Sequence, residues 1–414
     1  MQDGAEEHIG TRVRIARNAA GLTQTELAGF LGRTEGWVQN VESGRFALDR
    51  YSLITAIAEV TDVDVVWLLG QPYRLRRAAG AMAHSYVPGV RAGLRRAGLI
   101  LSGHPGLLPQ AQATDTRSLA VRAAKANVAR QAADLPHVAA LLPPLVEDLN
   151  TELLVVQGPA RETALRLLAD TARTARMCLN QLGYPDLAWV AAEVAAGAAT
   201  QLGDPVVKAA VAWDRCGALL HQASLPETVV VADAALRDLE PLASGSHVAE
   251  EVLSLRGALM LRAAVAEARQ YRADAAWDRI DEALTDADRL GPEWHDVKRQ
   301  TVFGRGTVAV HAAEVGVEVQ SPDRGLNRVS DARIGQIPSR ERRMHYAIDQ
   351  ARALRAMGRA PAAVTTLRAA AQEAPYYVYA DPMARALVSE LVRQGVPSQA
   401  SSLSSLVKHM ELMR

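Results

Sequence analysis

The chain has 414 residues, of which 46 are lysine or arginine and 46 are aspartate or glutamate, so its formal net charge at pH 7 is zero. This length exceeds that of one ordinary hydrophobic core and predicts two or more folding units. Zero net charge excludes a basic field over the whole chain, so any contact with nucleic acid must depend on a local cluster of cations.

The composition favours an all-α protein, because alanine and leucine are abundant, aromatic residues make up only 4%, and alternating strand patterns are scarce. Cys178 and Cys216 lie in apolar helical patterns without the paired spacing of a metal site, so we expect buried free thiols. Neither a signal peptide nor a run of about 18 apolar residues is visible. We therefore expect a cytoplasmic protein without membrane contact.

Five short helical segments follow one another between residues 9 and 70. The first has apolar residues three to four positions apart and ends at Gly21. Thr23 stands three residues before Glu26, which is the spacing of a capping box at the start of the second helix. Thr34 can cap a third helix whose valines face inward and whose polar residues stay exposed. A short helix with a polar exposed face suits reading of a DNA groove.

Residues 9–70 resemble the Xre/Cro and phage-repressor helix-turn-helix family. Four stretches carry the resemblance: LTQTELA from Leu22, LG from Leu31, VESG from Val41 and VDVVWLLG from Val63. The resemblance implies a five-helix DNA-binding domain. It also implies a structural ion pair between Arg17, late in the first helix, and Glu42, at the end of the third.

By position in this family, the third helix enters the major groove of DNA. The resemblance places Gln24 against a phosphate and turns the exposed residues of the third helix toward the bases. The amides of Gln39 and Asn40 can read adenine, and Glu35 can accept a hydrogen bond from cytosine. The full set of candidate DNA contacts is Gln24, Arg33, Thr34, Glu35, Gly36, Trp37, Gln39, Asn40, Arg45 and Arg50.

Charge within this domain is balanced, because residues 1–77 contain nine arginines and ten acidic residues. The arginines cluster in the segments that the family turns toward DNA, so a local positive face is expected, with Arg45 and Arg50 as phosphate contacts. Trp37 has two interpretations: it packs on a thymine methyl group or sugar, or it covers the domain's own surface.

Residues 71–115 contain several prolines and glycines without a sustained apolar stripe, and we expect them to form a linker. Residues 116–414 read as helical segments rich in small residues and broken at short intervals by glycine and proline. Segments such as the one from Ala268 to Trp277 resemble the turn of the tetratricopeptide repeat, although the spacing is irregular. We expect a degenerate TPR-like α-solenoid of five or six hairpins, whose inner surface forms a groove.

A helix-turn-helix domain followed by such an array resembles the peptide-pheromone regulators of Gram-positive bacteria. The stretches from Thr301 to His311 and from His345 to Pro375 are also similar to the C-terminal part of Xre-type regulators common in actinomycetes. The resemblance implies a signalling peptide or a small molecule as ligand. It does not imply which one.

Candidate ligand residues have two interpretations, groove lining and core packing, and core packing is the more frequent for such residues. They are Trp213, Trp277, Trp294, Phe303, Thr307 and His311. We find no carboxylate near His311 at metal-ligand spacing and propose no metal site. No phosphate loop, nucleophile elbow or paired-cysteine motif is present, so neither a cofactor nor enzyme activity is expected.

The leading hypothesis is a cytoplasmic, sequence-specific transcriptional regulator. It would bind a double-stranded operator as a homodimer, because one short helix covers only a half-site, and the TPR-like domain would control it. The competing hypothesis is an interaction scaffold whose solenoid binds a protein partner and whose helix-turn-helix domain tethers it.

Overall fold

The computed structural model describes residues 8–46, 48–72, 78–104, 106–108, 115–244, 248–297 and 300–412. Helices and loops account for all of these residues, without a β-strand among them, which confirms the all-α prediction. None of the helices in these ranges is both long enough and apolar enough to cross a membrane.

The N-terminal part has the five expected helices. They are α1 (Ile9–Ala19), α2 (Gln24–Phe30), α3 (Glu35–Glu42), α4 (Tyr51–Thr61) and α5 (Val65–Leu69). The capping box at α2 is present, since the Thr23 side chain accepts from the Glu26 amide and the Glu26 carboxylate accepts from the Thr23 amide. Thr34 caps α3 through the amide of Trp37 at 3.2 Å. Local sequence signals therefore fix the start of both helices of the motif.

The rest of the chain is an array of helices connected by short turns. In chain order they are α6 (Ala78–Ser85), α7 (Val87–Leu101), α8 (Thr116–Gln131), α9 (Leu135–Val155), α10 (Gly158–Gln181), α11 (Pro185–Leu202), α12 (Pro205–His221), α13 (Leu225–Ala243), α14 (Glu250–Arg269), α15 (Ala273–Leu290), α16 (Arg305–Glu318), α17 (Pro322–Asn327), α18 (Arg340–Ala356), α19 (Ala360–Glu373), α20 (Pro375–Ala380), α21 (Pro382–Gln394) and α22 (Ala400–Met410).

Helices α8 to α16 pack as a solenoid-like stack. Each contacts its neighbour in the chain, and α8, α10, α12, α14 and α16 also contact one another in succession. These even-numbered helices therefore form the inner layer, and α18 extends it. Because α18 also contacts α8, the inner layer curls around on itself and surrounds a central space.

The stretch 71–115 differs from the expected linker, since it contains α6 and α7. Helix α7 packs against α9 and α11 and buries an apolar stripe at three- to four-residue spacing. The stripe consists of Val87, Val90, Leu94, Ala97 and Ile100. Pro88 lies in the first turn, where a helix tolerates proline. Gly93 permits close packing, because a Cβ there would lie 2.8 Å from Val146. Pro88 and Gly93 therefore belong to a packed helix here and do not mark a linker.

The helix-turn-helix domain does not stand apart from the array. One buried apolar cluster contains its core residues, such as Leu27, Val41 and Ile54, together with residues of α18 to α22, such as Ile348 and Leu387. The helix-turn-helix domain is thus docked on the C-terminal end of the solenoid.

Candidate DNA-binding face and central cavity

The α3 face consists of the exposed residues of α3. Val38 and Val41 are buried, which leaves Glu35, Gly36 and Gln39 exposed and Asn40 partly exposed. Both amides expected to read bases therefore lie on the accessible side of the helix. Glu35 also accepts a hydrogen bond from the Thr25 hydroxyl at 2.8 Å, which ties α3 to α2.

Cationic residues flank the α3 face at both ends. Arg33 precedes the Thr34 cap, Arg45 follows the helix, and both side chains are exposed. The Arg33 guanidinium lies 5.6 Å from the centre of the Trp37 ring, and Trp37 is partly buried against the domain core. This position supports the second interpretation of Trp37, in which it covers the domain's own surface.

Gln24 takes part in a buried network behind the α3 face. The expected pair is present, since Arg17 Nε donates to Glu42 Oε1 at 2.5 Å and Arg17 Nη2 to Oε2 at 3.2 Å. Gln24 Nε2 donates to Glu42 Oε2 at 2.7 Å. Its amide nitrogen is therefore engaged within the protein.

Arg50 differs from the exposed phosphate contact that we expected. It is 8% exposed and stands at the N-cap of α4, where its side chain does not cap the helix. The cap comes instead from Glu318, at the end of α16. The Glu318 carboxylate accepts from the amides of Tyr51 at 3.2 Å and Ser52 at 3.3 Å, and from the Ser52 hydroxyl at 3.0 Å.

Arg352 of α18 completes this docking contact. It donates to Glu318 at 2.9 Å and, through two nitrogens, to the Asp49 carbonyl at 2.6 and 3.0 Å. The Tyr51 ring lies under the Arg269 guanidinium, 4.2 Å from it. Helices α14, α16 and α18 therefore all hold the N-terminus of α4.

A cavity of about 90 Å³ lies at the centre of the inner layer, directly beside the docking contact. Its lining comes from α4, α10, α12, α14, α16 and α18, together with Tyr377 of α20, Asp381 before α21 and Met383 of α21. The lining residues with acidic or basic side chains are Arg176, Arg262, Arg269, Arg342, Arg352, Glu314, Glu341, Asp349, Asp381, His221 and His345. Tyr51 lines it from the DNA-binding domain. We call this space the central cavity.

Most carboxylates of the central cavity already have cationic partners. Glu314 accepts from Arg269 at 2.8 Å, Asp349 accepts from Arg352 at 2.6 Å, and Glu341 pairs with Arg130 of α8. The pair with Arg130 connects α8 to α18, where the inner layer closes.

His345 lies between two of these carboxylates, 3.4 Å from Glu314 and 3.2 Å from Asp349. Burial alone would lower its pKa, but hydrogen bonds to Asp349 and Glu314 outweigh burial and raise the pKa to about 10. His345 is therefore protonated at neutral pH. By contrast, burial lowers the pKa of His311 to about 4 despite its contact with Glu314.

The expectation that no carboxylate neighbours His311 was wrong, because Glu314 lies one helical turn away, with 3.4 Å between Nδ1 and Oε2. Ligand atoms of Glu314, His345 and Asp349 also lie within 4.8 Å of one another. Both carboxylates, however, already bind arginines and the imidazole holds a proton, so the surroundings repel a cation. The group is best described as an ion-pair network.

The histidines His345, His311 and His221 should together contribute most to stability near pH 6.5. The folded pKa of His345 is above its ordinary value of 6.5, so its contribution is complete below pH 6.5 and is lost as pH rises toward about 10. The folded pKa values of His311 and His221 are depressed to about 4 and about 3, so their contribution is lost as pH falls below 6.5. Urea unfolding across pH measures both losses.

The window from pH 6.5 to about 8 isolates His345, because the buried thiols of Cys178 and Cys216 contribute only above their ordinary pKa of 9.0, and Arg262, whose pKa burial lowers to about 9, loses its proton above this window. The His345→Gln variant should lose most of the alkaline slope in this window. The exposed His137 provides the control, and His137→Gln should keep that slope. Equal slopes in all three proteins would contradict the assignment.

The six candidate ligand residues do not line one groove. Trp213, Trp277, Phe303, Thr307 and His311 are buried, and Trp294 is partly buried at the edge of the same apolar cluster. Phe303 fills the space above Gly257, and Trp277 lies under Arg324 with 4.3 Å between guanidinium and ring. These positions support core packing. Only Trp213 and His311 adjoin the central cavity, since each contacts lining residues.

Sequence reasoning missed the arginines of the cavity. The sequence does contain a signal for one of them, namely a charged residue within an apolar helix. Arg262 stands in α14 among Leu261, Ala263 and Ala264, and this helix is apolar around most of its circumference. A charged residue in such a helix must find a partner or face an internal polar space.

The arrangement defines a helix-turn-helix DNA-binding domain joined to a helical solenoid. Residues 8–66 match the family model described as a helix-turn-helix domain. No curated protein matches the chain.

Among solved structures, the chain is similar to Bacillus thuringiensis PlcR, crystallised in complex with the peptide PapR7 and DNA. The sequence identity is 16%, the match covers 69% of this chain and 96% of that one, and the TM-score is 0.34.

Proposed function

We propose that this protein is a sequence-specific transcriptional regulator that binds operator DNA as a homodimer and is controlled by a ligand in the solenoid. The observation that carries the proposal is the α3 face, a polar, accessible helix surface in a domain that matches a helix-turn-helix family. Gln39 and Asn40 would read bases, and Arg33 and Arg45 would bind phosphates. Dimerisation follows from the half-site geometry of the motif.

Control by a ligand is supported by the position of the central cavity. Tyr51, the first residue of α4, lines the cavity, and Glu318 caps the same helix from α16. Glu314, one turn before Glu318, also lines the cavity. A peptide or small molecule that moves α16 or α18 would therefore directly shift the helices on which the DNA-binding domain is docked. Residues 78–414 would form the sensor and dimerisation unit.

Replacing Gln39 and Asn40 together with alanine should weaken binding to the operator by about tenfold or more, because each good base contact contributes roughly 1–3 kcal/mol. The measurement is fluorescence anisotropy with the protein's own upstream DNA and a random duplex, across a salt series. The double variant should keep the salt-dependent binding to random DNA, since its phosphate contacts are intact.

Asn18→Ala is the matched control, because Asn18 is exposed at the end of α1, outside the α3 face. It should bind the operator as the unmodified protein does. If the unmodified protein fails to prefer its upstream DNA, or the double variant keeps that preference, residues 33–45 do not read this site. Copurification of a stoichiometric protein partner without DNA binding would then favour the scaffold hypothesis.

A further inference from the structure

Two arginines of the central cavity have no carboxylate partner in the part of the chain that the structure describes. Among the described residues, Arg262 forms neither a hydrogen bond nor an ion pair, and its Nε is sealed from solvent. Within the same described ranges, the Arg342 side chain donates one hydrogen bond, to the Thr301 carbonyl at 3.4 Å, and its Nε is also buried without a partner. The other three arginines of the cavity each bind a carboxylate, namely Asp214, Glu314 or Glu318.

The two arginines share a support in Trp213. Its buried ring lies 4.6 Å from the Arg262 guanidinium and 5.5 Å from that of Arg342. Stacking on an indole holds a guanidinium in place and leaves its N–H groups free to donate. Both arginines line the cavity, so uncompensated positive charge is concentrated at one internal space.

This arrangement is costly for the protein by itself. A buried guanidinium that binds no carboxylate directly has lost hydration without forming an ion pair that offsets the loss. Burial, together with the neighbouring charges of Arg342 and Arg176, lowers the pKa of Arg262 to about 9. An anion placed in the cavity would remove this penalty and would satisfy the unpaired N–H groups.

We infer that the central cavity binds the anionic group, a carboxylate or a phosphate, of the ligand that controls this protein, with Arg262 and Arg342 as its anchors. The planar guanidinium matches either group through paired hydrogen bonds. A cavity of about 90 Å³ is several times larger than one water requires, which suits such a group but not a whole peptide. The rest of the ligand would extend from the cavity along the inner layer.

The inference rests on the proposed function in one respect, that a ligand in this cavity controls DNA binding. Anion binding itself can be measured without DNA. The probes are inorganic phosphate and acetate, added to the full chain at constant ionic strength with sodium chloride, and the measurements are Tm and isothermal titration calorimetry. Phosphate or acetate should raise Tm, and the stronger response identifies the kind of anionic group.

Arg262→Gln should abolish the Tm response or weaken anion binding by about tenfold or more, because it removes a charge-assisted anchor. Its Tm without anion should equal or exceed that of the unmodified protein, since the variant removes an uncompensated charge and orphans no carboxylate. Arg256→Gln is the matched control on the same helix. Arg256 faces Asp286 of α15 at 3.7 Å, outside the cavity, so this variant should respond to anions normally.

No anion-dependent change in Tm for the unmodified protein, or an equal response in Arg262→Gln, would overturn the inference. Operator binding is measured separately in chloride buffer without phosphate or acetate. Specific DNA binding without an anion response would contradict only the cavity assignment. An anion response without specific DNA binding would contradict the proposed function and leave the anion site in place.

Discussion

Replacing Glu318 with alanine should lower the free energy of unfolding by about 3 kcal/mol, the lower end of the cost of breaking a buried ion pair. Glu318 is completely buried, caps two amides of α4 and pairs with Arg352. Arg352 keeps Asp349 at 2.6 Å, which limits the loss. The amides of Tyr51 and Ser52 lose their acceptor, so their hydrogen exchange should become faster.

Urea unfolding measures the change in stability, and hydrogen exchange across residues 50–61 locates it. Glu373→Ala is the control, because Glu373 forms a comparable pair with Arg343 at 2.8 Å but is 41% exposed. An exposed pair contributes about 0–1 kcal/mol, so this variant should lose little. Equal losses in the two variants, or unchanged exchange in α4, would show that Glu318 does not hold the DNA-binding domain.

Asp214→Asn should cost about 3–5 kcal/mol of unfolding free energy, because it leaves two buried guanidiniums without their shared counter-ion. Asp214 is completely buried between Arg173 and Arg176, and accepts from Arg176 Nε at 3.0 Å. Burial would raise the pKa of Asp214, but the two arginines outweigh it and lower that pKa. The asparagine amide keeps the volume, but its NH2 group turns donors toward one of the two guanidiniums.

Asp233→Asn is the corresponding control. Asp233 pairs with Arg279 at 2.7 Å near the surface, and its side chain is 33% exposed, so its loss should cost less than about 1 kcal/mol. Thermal and urea unfolding of both variants provide the comparison. A loss of similar size in the two variants would mean that burial of the Asp214 network has little energetic consequence.

Asp214 and Glu318 each hold one of the arginines that line the central cavity. Arg176 lines the cavity and is held by Asp214, whereas Arg352 lines it and is held by Glu318. Arg262 and Arg342 lie among these paired arginines without such a counter-ion. The cavity thus combines arginines fixed by structural carboxylates with arginines that remain able to bind a ligand.

The helix-turn-helix domain could be predicted from the sequence because its signals are local. The capping box of Thr23 and Glu26 and the cap at Thr34 each act within one helical turn, and the pattern of valines identifies the exposed side of α3. The pair of Arg17 with Glu42 came from a family resemblance and is present. The prediction of a linker at residues 71–115 missed α7, because the prolines and glycines of this stretch masked the apolar stripe of the helix in the sequence pattern.

The sequence by itself determined the helical class, the five N-terminal helices and the polar surface of α3, since helix periodicity and capping depend on residues a few positions apart. Only the tertiary structure decided which arginines share a cavity and which of them lack a counter-ion. Glu318 and Tyr51 are 267 residues apart in the chain, and they meet because α16 and α18 carry the DNA-binding domain. Contacts of this kind arise from the curvature of the whole array, which no short segment encodes.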